Sequence, residues 1–254
     1  MTTLADYKAG HPKILLLGRV GSGKSLLATT LGKRCLVLDM NNGLVSAQRY
    51  KDKFSAQRLE CEVKNCWDAG KPDAMWARCV AYIQSFCTKP SHEALVIDGL
   101  TDLAMAALGS QLQGSGKWDE SNIASIAQKD WGNGIMMLQR VMYRLKSVPA
   151  VVVLIAHTKL VSVGKPPDTV DQERISVYGK NLGNDIMSLF DEVWYTNVTG
   201  GGTNRKFQLQ TVTSSGVQCK TRRQLPNNTD MNIGLPKLLE SIGHEWKKEV
   251  VKEG

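Results

Sequence analysis

The chain is punctuated by short aliphatic runs that do not alternate with polar residues. Lys13-Ile-Leu-Leu-Leu-Gly18, Cys35-Leu-Val-Leu-Asp39, Ala94-Leu-Val-Ile-Asp98 and Ala150-Val-Val-Val-Leu-Ile-Ala156 end on, or run directly into, glycine, aspartate or His157. A strand that is apolar on both faces must be covered on both, so the runs predict a mainly parallel sheet flanked by helices. Helical spacing supplies the covers. Leu26 to Lys33 follows the first run, and Leu44 to Pro90 reads as mostly helical, with Trp76, Cys79, Val80, Ile83 and Phe86/Cys87 recurring on one face. Leu100 to Leu112 and Gly134 to Ser147 are helical, the latter with Met137, Leu138, Val141, Met142 and Leu145 on one side and Pro149 as its stop.

The last third is more broken. A short helix, Ile186 to Phe190, leads into a strand, Glu192 to Thr196, and then into the turn Gly200-Gly201-Gly202. Lys206 to Thr213 and Val217 to Thr221 read as a hairpin joined at Ser214-Ser215-Gly216, and Leu235 to Ile242 is a closing helix. Two polar excursions, Gly109 to Asp130 and Lys159 to Asn184, promise little core. A chain of 254 residues with 42% hydrophobic content suits one α/β domain, with a core over about 12–243 and a charged tail over 244–254. That composition excludes a disordered chain, a collagen and a long coiled coil.

The longest aliphatic run has seven residues, Ala150 to Ala156, against roughly 20 needed to cross a bilayer, so no membrane partner is expected. Met1 to Lys13 carries Asp6, Lys8 and His11 and has no apolar secretory core, which makes the cytoplasm the expected compartment. Six scattered cysteines read as reduced thiols; Cys61, Cys66, Cys79, Cys87 and His92 are enough side chains to ligate zinc, but the paired C-x-x-C spacing is missing. The charge, 32 − 24 = +8, permits a polyanionic partner without proving one.

Gly18-Arg19-Val20-Gly21-Ser22-Gly23-Lys24-Ser25 matches G-x-x-x-x-G-K-[ST] between a strand and a helix. Glycines let successive N–H groups turn inward onto phosphate oxygens, at the positive end of the following helix that Leu26 continues. Lys24 would reach the β- and γ-phosphates of ATP, and the Ser25 hydroxyl would hold Mg²⁺. Asp98, at the end of its strand, is the matching second metal carboxylate. Asp102, one turn on, reads as a solvated helix residue.

These motifs resemble the RecA-like P-loop ATPases, and among them the short phage-encoded recombinases and single-strand annealing ATPases. The resemblance spans about 12–243 and is carried by Gly18 to Ser25, Ala94 to Gly99, Ile155 to Thr158 and Lys220-Thr-Arg222. It implies that His157 senses the γ-phosphate. It also implies that Lys220 and Arg222, as a K-x-R pair, complete a neighbour's ATP site, which requires a homo-oligomer in the form of a ring or filament. One departure stands out: Asp39-Met40-Asn41 has an amide where members with strong hydrolysis carry a water-positioning carboxylate. Slow, DNA-stimulated turnover is therefore expected unless Asp39 or another carboxylate substitutes.

The resemblance also implies single-stranded DNA as partner, with a single-strand-binding protein as a possible companion and, for a phage-encoded chain, the host cytoplasm as location. DNA would meet the two polar excursions. Lys159, Lys165, Arg174 and Lys180 lie in the second beside Asp168, Asp171 and Glu173, a net charge of 4 − 3 = +1, while Arg205, Lys206, Lys220, Arg222 and Arg223 form a stretch without acids. Trp118, Trp131 and Tyr178 are candidates for base stacking or for packing. Two other readings remain open. A nucleotide-switched partition or assembly ATPase would usually carry a lysine where Arg19 stands, and a small-molecule P-loop kinase would show an Arg-rich lid.

Overall fold

The computed structural model describes residues 10–45, 60–68, 70–117, 126–165, 168–179, 181–201, 204–214 and 216–246. Lys180 and Trp118 lie outside them, as does most of the tail. The four aliphatic runs form β1 (Lys13–Gly18), β2 (Cys35–Asp39), β4 (Ala94–Asp98) and the start of β5 (Val151–Val163). With β3 (Glu62–Asn65), β7 (Glu192–Thr199), β8 (Lys206–Gln210) and β10 (Thr229–Asp230) they make one sheet in the order β10-β8-β7-β1-β5-β4-β2-β3. Every pairing from β7 to β3 is parallel. This is a RecA-like P-loop core: β5, inserted between β1 and β4, separates the strand of the glycine loop from the strand of Asp98.

Alternate residues of each strand feed two cores. Leu15, Leu17, Leu38, Leu95, Ile97, Val152 and Leu154 pack against helices α2 (Pro72–Thr88), α3 (Leu100–Gly114), α4 (Gln128–Ser147) and α5 (Leu182–Leu189). Ile14, Leu16, Val37, Val96, Val153 and Trp194 face α1 (Lys24–Thr29) and α6 (Leu235–Ser241). The period of two across strands that are apolar on both sides is what covers both faces. The second core continues to Trp246, over whose ring Arg34 stands at 5.1 Å.

Three expectations need correction. The stretch between Leu44 and Pro90 contains β3, a polar edge strand whose sequence Glu-Val-Lys-Asn has no apolar face to betray it. Lys159 onward is no loose excursion: β5 runs on to Val163 and pairs antiparallel with β6 (Val170–Ile175), making a two-stranded ribbon. The expected hairpin of 206–213 with 217–221 closes only at its turn, where Ser214 and Val217 exchange main-chain hydrogen bonds and Thr213 Oγ1 bonds the main chain of Cys219; its arms pair elsewhere. β8 pairs with β7 over Tyr195 to Thr199, and β9 (Lys220–Thr221) pairs with β7 at Glu192 and Val193.

Glu192 explains that last arrangement. It is fully buried; its Oε2 accepts from Trp194 Nε1 at 2.9 Å, and its Oε1 accepts the main-chain N–H groups of Arg222 and Arg223 at 3.0 and 3.1 Å. A buried carboxylate holding three donors draws the chain after β9 against β7. Replacing Glu192 by Ala strands those donors and should cost about 2–5 kcal/mol of unfolding free energy, read from the shift in urea midpoint at constant slope. A shift near zero would show that Glu192 does not hold β9.

Candidate functional site

The glycine loop leaves β1 in a conformation that side chains resist. Gly18, Gly21 and Gly23 have φ of 151°, 77° and 86°, and a Cβ on Gly18 would stand 2.1 Å from Thr196 Oγ1. Thr196, on β7 and 1% exposed, donates to Leu17 O at 2.9 Å and shares a 2.6 Å hydrogen bond with Ser22 Oγ. The loop is thus pinned from below while its tip, Val20, is 83% exposed. Gly23 caps α1 without a side-chain acceptor, and Leu27 N is bonded to Gly23 O at 2.9 Å. Leu26 is half-buried in the first turn.

Lys24 folds back over this loop. Its Nζ donates to Gly18 O at 2.9 Å, Arg19 O at 2.8 Å and Ser22 Oγ at 3.3 Å. Burial lowers its pKa to about 8, against the raising influence of Asp98. Phosphate oxygens can replace these carbonyl acceptors without moving the ammonium far, and with more charge to offer.

Asp98 is 2% exposed, and burial raises its pKa to about 6; the Ser25 hydroxyl and Lys24 oppose the rise, and the Asp39 and Asp102 charges add to it. Its Oδ2 has no hydrogen-bond partner. A buried carboxylate oxygen of this kind beside a hydroxyl fits a hard divalent cation such as Mg²⁺. His157 pairs in register with Gly18 across β1 and β5, so the sheet brings it beside the loop. Burial, then Lys24, lowers its pKa, which favours neutral imidazole, and its Nδ1 is buried and unpartnered. Gly18 to Leu26, Asp98 and His157 therefore converge at one edge.

Asp102 is not the solvated helix residue that its position predicts. It accepts from Asn41 Nδ2 at 3.3 Å, and its pKa is raised, chiefly by burial. Asn41 is also spent on Gly43 N, which its Oδ1 accepts at 2.8 Å, and Asp39 accepts Asn41 N and Gly43 N at 3.2 Å each. The amide that interrupts the family pattern is thus hydrogen-bonded to a carboxylate 61 residues away. The only signal in the sequence is that Asp102 stands in the first turn of the helix that follows the strand of Asp98.

Lys220 and Arg222 are not brought to the loop of their own chain. Lys220 Nζ donates to Phe190 O at 2.6 Å and Arg222 pairs with Asp191 Oδ1 at 2.9 Å, at the end of the sheet where β1 begins. Arg205 and exposed Lys206 stand at the other end of β7, opposite Thr199. The basic stretch 205–223 is therefore two clusters roughly 20 Å apart along β7. Lys159 and Arg174 are exposed and directly opposed across the ribbon, and Lys165 is exposed near its tip. Trp131 and Tyr178 pack on each other, ring centroids 4.9 Å apart. The six cysteines are free thiols; His92 faces Glu62 at 3.2 Å, and among the described residues no three metal-ligating side chains gather. Among those residues, too, no helix is long and apolar enough to cross a membrane.

A protein-family model described as an AAA domain matches residues 11–223, and the chain belongs to that family of P-loop ATPases. No curated protein matches the sequence. A KaiC-like protein of the hyperthermophilic archaeon Pyrococcus horikoshii OT3 is similar in structure over 87% of this chain and 83% of its own, at 10% identity and a TM-score of 0.43. Lys24 must be protonated to hold a phosphate, so Mg²⁺-triphosphate affinity should be level from about pH 7, above the Asp98 value, to about pH 8 and fall up to about tenfold per unit above it. Calorimetry across a pH series measures this, and Lys24→Ala should abolish the heat. Affinity that stays level through that pH would show that Lys24 does not carry the phosphate.

Proposed function

We propose that this AAA-domain ATPase is an ATP- and Mg²⁺-dependent, single-stranded-DNA-binding protein of recombination that anneals or pairs strands as an oligomer. The observation that carries the reading is the course of β5. The strand passes from the buried core to His157, beside Gly18, and two residues later presents Lys159 opposite Arg174 on an exposed ribbon. Nucleotide edge and the exposed Lys159–Arg174 pair share one strand, so a change at the first is felt at the second. Exposed cations without base-reading geometry suit sequence-independent, salt-sensitive binding to a phosphate backbone.

Ser25 and Asp98 would hold the Mg²⁺ that neutralises charge on the phosphates. Lys24 would bind the β- and γ-phosphates, His157 would donate to the terminal phosphate, and Asp102, steadied by Asn41, would orient the attacking water. Lys220 and Arg222 face away from their own loop, so they serve only a neighbouring copy, whose phosphates must compete with Asp191 for the guanidinium.

Turnover of ATP measured with and without single-stranded DNA tests the reading. Stimulation by DNA is expected, whereas stimulation only by a protein partner or only by a metabolite would replace it with a partition-type ATPase or a kinase. Arg222→Ala should spare nucleotide binding and remove the DNA-stimulated component; unchanged stimulation would refute a neighbour-supplied cation. Asp102→Asn should lower turnover about 100-fold while leaving triphosphate affinity within a factor of about two. An unchanged rate would place the water on another group.

A further inference from the structure

Arg19 sits in the phosphate loop, yet its guanidinium is held by the ribbon. Nε donates to Glu173 Oε1 on β6 at 2.6 Å, and Nη2 stands 2.5 Å from the same oxygen as an ion pair. The two ends differ sharply in exposure, with the Arg19 side chain 64% exposed and that of Glu173 6%. Glu173 Oε2 is buried with no partner. The main chain of Glu173 is tied elsewhere: its N–H donates to Gly216 O at 2.6 Å, and it bridges to Val217, in the segment that leads to Lys220. A cavity of about 590 Å³, lined among others by Leu17, Glu173, Tyr178 and Val217, opens beside this junction.

We propose that Glu173 is a positioning residue that makes the ribbon report the occupancy of the phosphate loop, through competition between its carboxylate and a bound triphosphate for Arg19. The inference rests on the nucleotide-binding part of the function proposed above and not on DNA. A triphosphate in the loop places several negative charges near an exposed guanidinium whose present partners, Glu173 and the Tyr195 hydroxyl, offer one between them. When Arg19 turns to the phosphates, both oxygens of Glu173 are left unpaired, and a carboxylate this buried is costly without a partner. The least costly relief is for the ribbon to carry Glu173 toward water, for which the adjoining cavity leaves room. Because Glu173 N is bonded to Gly216 O, the shift reaches the strand of Lys220 through the main chain. An exposed ion pair would transmit little; the asymmetry of burial gives this one its leverage.

Amide hydrogen exchange of the full chain, with and without Mg²⁺ and a non-hydrolysable ATP analogue, tests the proposal without DNA. In the wild type the analogue should speed exchange at 171–175 and 216–217 several-fold. Glu173→Gln keeps the shape and removes the charge. Its exchange in this region should not respond to the analogue, and it should bind the analogue several-fold tighter for want of a competing carboxylate. Arg19→Gln, at an exposed position that leaves the core untouched, should also lose the response, and the double variant should respond no differently from either single one. A merely structural Glu173 would loosen the ribbon and leave the nucleotide response intact; that outcome, or a wild type that binds the analogue without any change in the ribbon, overturns the proposal. A wild type that gives no calorimetric binding signal overturns the nucleotide reading itself, and the inference with it.

Discussion

Everything this chain does with a phosphate depends on the seating of β1 between β5 and β7. The parallel pairing sets Gly18 beside His157 on one side, and on the other lets Thr196 reach Leu17 O and Ser22 beneath the loop. Three strand ends are thereby held by main-chain hydrogen bonds in a core closed on both faces, and only then can a run of glycines be held open as a cradle. A loop with three positive-φ glycines and no such floor would lose its shape to entropy.

Around that edge the charges are arranged in opposition. Lys24 and Asp98 are both nearly excluded from water, and each is pulled toward its neutral form by burial while the other resists the pull. Such a site keeps its ionic forms only marginally, so phosphate and a divalent cation would each supply the charge that the other side lacks. The same economy appears at Glu192, where a buried carboxylate is spent on three N–H donors to fasten an edge strand. At Glu173 one oxygen is paired and the other is not.

The ribbon changes how the polar stretch after His157 is understood. As a loop it would be a passive strip of mixed charge, with Asp168, Asp171 and Glu173 among its basic residues. As a continuation of β5 it is mechanically joined to the strand whose other end lies in the core, and its cations Lys159 and Arg174 are fixed opposite one another. The dispersal of the other basic residues to both ends of β7 shows why counting charge along the chain misleads. Residues close in sequence are carried apart whenever a strand pairs at two places along a longer neighbour.

The amino-acid sequence by itself determined the strands that bury both faces, the helices that cover them, and the residues of the phosphate loop with the carboxylate at Asp98. In each case the signal is local: an unbroken aliphatic run, a helical period, a fixed spacing of glycine, lysine and serine. Only the tertiary structure decided that Asp102 meets Asn41, that Glu173 takes hold of Arg19 from 154 residues away, that Glu192 draws in the chain after β9, and that a polar tetrapeptide becomes β3. These depend on which strands lie side by side. That is settled by closing the whole core, whereas the polar partners merely occupy the places it leaves them, so no spacing along the chain announces them.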